Sequence, residues 1–404
     1  MRRFLVVLAF LLICAPAGAA PRALTRLTWT DTGALAGERV LFSQTVGRTV
    51  RIRSMPAAGG AATTVYTYAA PRDVGRVLLY ATPTQAAALV LFGETTDRAQ
   101  LLVGTADGGW HPVTPVQRFD AGASVPVDVQ LDGGRVFTQE VSTQPDDPVA
   151  VVRDPTPREL PYRGRRVRFA GDRVAWTERT GLEVDRILLS DWRTGALLGT
   201  TQLQSAVVAL ALRPDGRVVA SAGDNVFEIV PGQPPRRLAD VTAALALAGE
   251  QVVVQRIRGL GLVTPEGVER PFGIPTETLD LFSADERHVL WSANGCLLVA
   301  DVADPPAKEP GPGPCSRFEV TEESVRNVRR RWPVKLSCVS GACRGVLRLS
   351  FAGRRVGEAV RFRVPAGGHR IVSVRLSPKE VARLRHRGIV TADTGDGSPT
   401  PLLL

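Results

Sequence analysis

The sequence predicts an all-β protein: a β-propeller followed by a small β-sandwich. Residues 209–241 contain four short strand-like segments, a similar outline recurs through most of residues 22–303, and the composition changes at a Pro/Gly-rich segment after residue 302. Strands this short become stable when repeated blades bury one another around an axis. We therefore expect seven blades of four antiparallel strands, then a disulfide-clasped sandwich with one short helix.

The first segment of the chain, residues 1–19, has the pattern of a signal peptide. Arg2 and Arg3 precede an apolar stretch over residues 4–13, and Ala17-Gly18-Ala19 provides a small-residue cleavage site. The apolar stretch is too short for a stable membrane-spanning helix. Bulky Ile13 before Cys14 disfavours a lipoprotein. We expect an exported protein, either secreted or associated with the cell envelope.

The propeller is expected over residues 20–302, and its clearest blade is residues 209–241. An Asp-Gly turn at Asp215-Gly216 separates two apolar segments, and such a turn favours a hairpin because Gly accepts a positive φ. The predicted strands are residues 209–213, 217–222, 225–230 and 236–239.

Turns of this kind mark the other blades. Their positions lie 34 to 49 residues apart, close to the period of about 40–50 residues that is typical of propellers. The turns lie at residues 36–40, 83–85, 132–136, 170–174, 214–218, 248–252 and 284–289. Seven turns predict seven blades, although the weak second turn leaves six or eight open. Residues 24–30 predict a strand that pairs with the last blade and closes the ring.

One repeat carries a resemblance. The segment Ala211-Leu212-Arg213-Pro214-Asp215-Gly216-Arg217-Val218-Val219-Ala220 resembles the repeat of TolB-like and WD-repeat-like propellers, and residues 281–287 are similar to a degenerate copy. The resemblance covers residues 22–303. It implies a fold and no particular reaction.

Residues 303–314 form a Pro/Gly-rich linker, and residues 315–404 form a second domain. We expect a hairpin of residues 334–338 and 343–350, then strands at 359–364, 369–376 and 389–392. Ser377-Pro378-Lys379-Glu380 is a capping box that starts a helix reaching about residue 386. The domain resembles the small immunoglobulin-like modules at the C-terminus of exported bacterial proteins. This resemblance does not indicate a ligand.

Four cysteines remain after residue 19, and an even number in an exported chain predicts two disulfides. Proximity favours Cys296–Cys315 and Cys338–Cys343, although four cysteines allow three connectivities. Neither spacing is Cys-x-x-Cys and no His lies close by, so a zinc site is disfavoured.

Signatures of catalysis are mostly missing from the sequence. No Gly-x-Ser-x-Gly, Walker or His-Glu-x-x-His segment is present. Asp31-Thr32-Gly33 and Asp393-Thr394-Gly395 share the Asp-Thr-Gly of aspartic proteases, but both lie in turn-like contexts without the usual apolar flanks. We expect turns there, and neither a cofactor nor a metal.

Charged residues interrupt the apolar first strands of three blades. They are Asp128, Arg168 and Asp280. These residues either line the central channel as ligand contacts or occupy exposed positions. Both alternatives stay open, because a shift of one residue in register moves every side chain to the other face.

Charge is unevenly distributed between the domains. Residues 316–404 contain 18 Lys/Arg and 7 Asp/Glu, a net of +11, whereas residues 20–315 carry −3. Candidate anion-binding residues are Arg329, Arg330, Arg331, Arg361, Arg363, Arg383, Arg385 and Arg387. A solvated basic surface is the alternative to binding. Anionic wall polymers or lipid headgroups suit an exported protein better than nucleic acid, for which no recognition motif is present.

The sequence therefore predicts a monomeric, exported, non-enzymatic binding or scaffold protein of the cell envelope. Its propeller face would bind a protein or a polysaccharide, and its basic domain would bind anionic polymers. The alternative is a propeller hydrolase or lyase that acts on carbohydrates or lactones, with its acids at the channel mouth.

Overall fold

A computed structural model of the chain describes residues 20–93, 98–118, 125–141, 149–153, 157–164, 166–180, 184–240, 244–256, 259–272, 279–293, 295–306, 317–320, 330–340, 343–351, 354–365, 369–384, 389–393 and 400–403. The predicted signal peptide and most of the predicted linker lie outside these residues.

Seven antiparallel sheets follow one another along the chain as the blades of a propeller. Blade 1 contains β2 (Gly33–Ala36), β3 (Arg39–Val46), β4 (Thr49–Pro56) and β5 (Thr63–Ala69). Blade 2 contains β6 (Val74–Ala81), β7 (Ala86–Phe92), β8 (Arg98–Thr105), β9 (Gly108–Pro112) and β10 (Gln117–Arg118). Blade 3 contains β11 (Val125–Asp132), β12 (Arg135–Val141), β13 (Val149–Arg153) and β14 (Pro157–Arg163).

The remaining blades repeat this order. Blade 4 contains β15 (Arg168–Ala170), β16 (Arg173–Arg179), β17 (Asp185–Asp191) and β18 (Leu197–Leu203). Blade 5 contains β19 (Val207–Leu212), β20 (Val218–Ala222), β21 (Asn225–Ile229) and β22 (Arg236–Asp240). Blade 6 contains β23 (Ala244–Ala248), β24 (Gln251–Arg256), β25 (Gly259–Val263) and β26 (Glu269–Phe272). Blade 7 contains β27 (Leu279–Ala284), β28 (His288–Ala293), β29 (Cys296–Asp301) and β1 (Arg22–Arg26).

The first strands of the blades form the innermost ring. Each of β2, β6, β11, β15, β19, β23 and β27 contacts the first strand of the next blade, and β27 contacts β2. Between neighbouring blades lie apolar layers; Ala34, Val77 and Ala88, for example, belong to one cluster between blades 1 and 2. All seven predicted turns connect a first strand to a second strand, so the prediction of seven blades is confirmed.

The N-terminal strand closes the ring, as predicted. β1 pairs antiparallel with β29, with Arg22 opposite Val299 and Arg26 opposite Cys296. Leu24 is buried in this seam. The strand ends at Arg26, earlier than the predicted residue 30.

Blade 2, whose turn was the weakest in the sequence, has an outer strand in two pieces. Both β9 and β10 pair with β8. Between them, buried Thr114 accepts a hydrogen bond from the Leu101 amide at 2.9 Å through its hydroxyl. The Thr114 side chain thus replaces the missing backbone acceptor at the break between β9 and β10. Strand propensities along the sequence do not reveal such a break.

The propeller-like segment of residues 211–220 joins blade 5 to blade 6. Arg217 Nε donates to Asp215 Oδ2 and its Nη2 donates to Glu250 Oε2, both at 2.6 Å. Residues 281–287, the degenerate copy, make the same kind of contact. Arg287 of blade 7 donates a hydrogen bond to Glu38 of blade 1. The segment is therefore a contact between neighbouring blades.

Two sheets form the C-terminal module. One contains β30 (Arg317–Val320), β31 (Arg331–Ser340) and β34 (His369–Arg375). The other contains β33 (Arg354–Val364), β32 (Cys343–Phe351), β35 (Ile389–Asp393) and β36 (Thr400–Leu403). Apolar residues from both sheets, including fully buried Trp332 and Leu347, share one core. This arrangement is a two-sheet sandwich.

The prediction of a hairpin from residues 334–338 and 343–350 is wrong. β31 and β32 lie in different sheets. The two sheets face each other, and the apolar residues of both strands point into the core between them. Cys338 and Cys343 form the predicted disulfide, with their Cα atoms 5.8 Å apart. The bond therefore clasps the two sheets at the point where the chain crosses between them.

The single helix of the described residues, α1, covers Pro378–Leu384 and buries Val381 and Leu384, as predicted. The capping box is present: Ser377 N donates to Glu380 Oε2 at 2.7 Å, and Glu380 N donates to Ser377 Oγ at 3.3 Å. Residues 385–388, where the helix was expected to end, lie outside the described residues. None of the described helical segments has the length and apolar character needed to cross a membrane.

Candidate functional site

Two of the three charged residues that interrupt the first strands, Asp128 and Arg168, lie together. Arg168 Nη1 on β15 donates to Asp128 Oδ2 on β11 at 2.7 Å, and about a quarter of each side chain is exposed. Arg168 Nε also donates to the carbonyl oxygen of Leu210 on β19, at 3.1 Å. The guanidinium thereby connects the innermost strands of three consecutive blades.

A third side chain, which the sequence did not indicate, completes this group. The Tyr80 hydroxyl on β6 donates to Asp128 Oδ1 at 3.2 Å. Burial, and then the adjacent Asp128 carboxylate, raise the pKa of Tyr80 well above its usual value of 10, so the hydroxyl keeps its proton. Burial opposes the charge on Arg168, but the Asp128 carboxylate outweighs it and raises the pKa of Arg168.

The cleft beside this group is too small for an organic ligand. It has a volume of about 10 Å³, between Val129, Gln130 and Phe169 among others. A space of that size accommodates about one water molecule. Asp128 and Arg168 therefore satisfy each other and link blades 2 to 5 within the channel wall.

Asp280 lies elsewhere, in the wall of a separate cavity. The cavity has a volume of about 410 Å³. Its lining comes from the closing segment before blade 1 and from blades 2 and 7, and includes Trp29, Asp31, Arg76, Asp280 and Phe282. Since Arg76 and Asp280 lie near the beginning of β6 and β27, the cavity opens at the end of the channel where the innermost strands begin.

Arg76 and Asp280 are both exposed, and neither side chain forms a salt bridge or a hydrogen bond with the residues that the structure describes. Besides the Asp31 carboxylate, which internal hydrogen bonds occupy, they give the cavity one cationic and one accessible anionic side chain. Arg76 lies on the same strand as Tyr80, four residues earlier, which places it about 13 Å nearer the channel entrance. The cavity and the Asp128–Arg168 pair are therefore separate sites.

Asp31, the first Asp-Thr-Gly position, is buried and has a structural role. Its Oδ1 accepts hydrogen bonds from Ser43 Oγ at 3.1 Å and Thr45 Oγ1 at 2.8 Å. Its Oδ2 accepts from Thr28 Oγ1 at 2.6 Å and from the Thr28 amide at 3.4 Å. Four donors occupy the carboxylate. Asp31 ends a turn that begins at Thr28, and Gly33 is already the first residue of β2, so only the first position of Asp31-Thr32-Gly33 lies in a turn. Asp393 ends β35, and residues 394–399 lie outside the described residues.

The candidate arginines of the C-terminal module fall into two groups. Arg361 and Arg363 are exposed on β33, while Phe362 and Val364 between and beyond them are buried. Arg331 is exposed on β31, in the other sheet. Because the two sheets share one core, these groups lie on the outer faces of different sheets. Arg330 and Arg383 are exposed as well, whereas Arg329, Arg385 and Arg387 lie outside the described residues.

Each outer face contains a cross-strand pair of arginines. Arg363 lies directly opposite Arg344 of β32, and Arg331 lies directly opposite Arg375 of β34. All four side chains are exposed. Like charges at directly opposed positions of a sheet repel and lower stability. Strand register, which the sequence did not specify, determines these pairs.

Cys296 is disulfide-bonded and buried in blade 7. Its predicted partner, Cys315, lies outside the described residues, so this pairing stays a prediction. Among the described residues, no three His, Cys, Asp or Glu side chains are grouped as metal ligands.

Comparison with known proteins supports the propeller and no particular activity. No protein-family model and no curated protein matches the sequence. Among solved structures, puromycin hydrolase is similar with a TM-score of 0.51 at 16% identity, over 79% of this chain and 58% of that chain. The Dos1 propeller is similar with a TM-score of 0.44 at 10% identity, over 70% of this chain and 95% of that chain. The chain thus spans less than two thirds of puromycin hydrolase, and at such identity the likeness shows the β-propeller fold alone.

Proposed function

We propose that this chain is an exported binding protein of the cell envelope, in which the propeller is an interaction platform and the C-terminal module binds anionic polymers or lipid headgroups. The observation that carries the proposal is the pairing of Arg344 with Arg363 and of Arg331 with Arg375. These pairs concentrate positive charge within a module whose sequence has a net charge of +11 over residues 316–404.

The paired arginines suit anions for a physical reason. None of the four has an ion pair with an acidic residue in the described part of the chain, so the described residues do not relieve their repulsion. A phosphate or carboxylate placed between two guanidinium groups receives bidentate hydrogen bonds from both and removes the repulsion. Anion binding therefore turns an unfavourable contact into a favourable one.

Binding is favoured over catalysis in the propeller because of how its carboxylates are engaged. Asp31 and Asp280 line the same cavity, but four hydrogen bonds occupy Asp31. A general acid and a general base must both reach the substrate. Asp280 is left as the accessible carboxylate, which supports ligand recognition better than hydrolysis or lyase chemistry at this cavity.

The test uses the full mature chain and phosphatidylcholine vesicles with and without phosphatidylglycerol. We expect sedimentation with the anionic vesicles only. The double variant Arg344→Gln/Arg363→Gln should lower the bound fraction several-fold. Its matched control is Arg51→Gln/Arg270→Gln, which removes the same charge from two exposed propeller positions. Soluble polyphosphate as competitor separates the two anion sources: competition indicates general phosphate recognition, and its absence indicates the lipid surface.

Equal loss in the two double variants would assign the effect to net charge and overturn the proposal for these arginines. Equal binding to neutral and anionic vesicles would overturn the proposal that the ligand is anionic.

A further inference from the structure

We propose that the cavity of about 410 Å³ at the channel entrance, the Trp29 pocket, binds a neutral carbohydrate. This inference rests on the proposed role of the propeller as an interaction platform and names the class of ligand. Its lining combines an exposed aromatic ring, an arginine, a carboxylate and hydroxyl groups, the last from Thr28 and Ser292.

Trp29 is unlike every other tryptophan of the chain. Its side chain is 79% exposed, whereas the other five tryptophans are at most 8% exposed. A tryptophan that is buried removes about 150–250 Å² of surface from water. The exposed indole therefore keeps most of that contact area available for a ligand.

The backbone that carries Trp29 is held in place. The hydrogen bonds to Asp31 fix the turn from Thr28 to Asp31, and the Asp31 amide donates back to the Thr28 carbonyl oxygen at 3.1 Å. On the other side, the Leu27 amide donates to the Gly295 carbonyl oxygen of blade 7 at 2.9 Å. An aromatic side chain on a fixed turn loses little conformational entropy when it binds. Asp31 is thus a positioning residue for Trp29.

The charged groups select among ligand classes. Arg76 and Asp280 have opposite charges, so an anionic ligand meets one repulsive group and a cationic ligand meets the other. A sugar ring satisfies both, because each hydroxyl both donates and accepts hydrogen bonds. Its C–H face is apolar and covers an indole ring, while Asp280 accepts from hydroxyls and Arg76 donates to them.

The size of the pocket agrees with this class. Sites for small molecules usually have volumes of about 300–1,000 Å³, and the Trp29 pocket lies in the lower part of that range. A peptide with charged termini is the competing ligand, since it also carries both charges. The exposed indole favours the sugar. The flat C–H face of any sugar ring can cover it, whereas a peptide could do so only with a suitable side chain.

The emission of Trp29 provides the readout. Because Trp29 is the exposed tryptophan, acrylamide quenching of the full mature chain reports mainly on this residue. The probes are maltose, cellobiose and N,N′-diacetylchitobiose, with the dipeptide Leu-Gly and inorganic phosphate as comparisons. We expect at least one disaccharide to protect Trp29 from quenching, and the dipeptide and phosphate to leave quenching unchanged.

Variants then identify the contacts by calorimetry with the disaccharide that protects. Trp29→Ala should abolish detectable binding, and Asp280→Asn and Arg76→Gln should each weaken it about tenfold. Leu197→Ala, which removes another exposed apolar side chain of the propeller, is the matched control and should bind normally.

Three results overturn the inference. They are no protection by any disaccharide of the panel, unchanged affinity in Trp29→Ala, and protection by the dipeptide alone. The last would leave the propeller as an interaction platform and replace the sugar with a zwitterionic ligand. Vesicle binding by the C-terminal module should be unaffected by all three pocket variants, so the two proposals fail independently.

Discussion

Arg168 Nη1 lies 2.7 Å from Asp128 Oδ2, and this contact joins the innermost strands of blades 3 and 4. Both residues were candidates for a channel ligand from the sequence. In the folded chain each is the other's partner, and Tyr80 adds blade 2 to the same group. The two charges therefore belong to the wall of the propeller.

The first prediction concerns the stability that this group provides. Asp128→Asn should lower the free energy of unfolding by about 1–3 kcal/mol, because it leaves Arg168 partly buried without its counter-charge. Since a quarter of each side chain is exposed, the coupling between Asp128→Asn and Arg168→Gln should be only about 1 kcal/mol. Urea unfolding of the unmodified chain, the two single variants and the double variant measures this coupling energy. Additive effects would contradict a direct interaction.

The second prediction concerns closure of the ring. Leu24 on β1 is buried between blades 7 and 1, so Leu24→Ala should cost about 2–5 kcal/mol. Deletion of residues 22–26 should expose the edge of β29 and cause aggregation. Size-exclusion chromatography and thermal unfolding report both effects. Val46→Ala, at an exposed position, is the control, and a stable monomeric deletion variant would show that closure lies elsewhere.

The third prediction concerns the two disulfides. Peptide mapping without reduction should recover Cys338 with Cys343 and Cys296 with Cys315. By the loop-entropy model, the short Cys338–Cys343 loop contributes about 2 kcal/mol and the longer Cys296–Cys315 loop about 3 kcal/mol. Reduction should therefore destabilise the C-terminal module and the junction between the domains more than blades 1 to 6, which contain no cysteine. Recovery of Cys296 with either Cys338 or Cys343, or of a free Cys315 thiol, would refute the pairing.

The fourth prediction is a pH dependence at the start of α1. Backbone hydrogen bonds from Gly357, at 2.9 Å, and from Ser377 hold the pKa of Glu380 below its usual value of 4.5. A lowered folded-state pKa means that this stability is present above about pH 4.5 and is lost as the pH falls through the folded-state pKa. Glu380→Gln should therefore cost about 1 kcal/mol at neutral pH and almost nothing at strongly acidic pH. Chemical unfolding at several pH values tests it, and a difference that is constant with pH would contradict it.

Local signals in the sequence predicted most of the fold. Turns such as Asp215-Gly216 and the capping box of Ser377 and Glu380 depend on neighbouring residues alone, and both formed as predicted. Pairing across sheets depends on distant residues, which is why β31 and β32 were assigned to a hairpin instead of two sheets.

The candidate sites were only partly predictable for the same reason. Asp280 was identified, but Arg76 and Trp29, which lie more than 200 residues earlier in the chain, join it only when blade 7 meets blade 2 and the closing segment before blade 1. Arg363 was identified from the sequence, but Arg344 was not. The two residues lie opposite each other only because of the register in which β32 and β33 pair. A pattern of alternating charges within one strand contains no information about the strand beside it.

The most direct test of the central claim is the salt dependence of binding to vesicles that contain phosphatidylglycerol, measured with the full chain. Attraction between exposed charges is screened over about 10 Å at 0.1 M salt, so affinity should fall steeply as salt rises. The slope should become clearly shallower in the variant Arg344→Gln/Arg363→Gln and stay close to that of the unmodified chain in the control Arg51→Gln/Arg270→Gln. Affinity that does not change with salt, or an equal slope in the two variants, would contradict anion binding by the paired arginines.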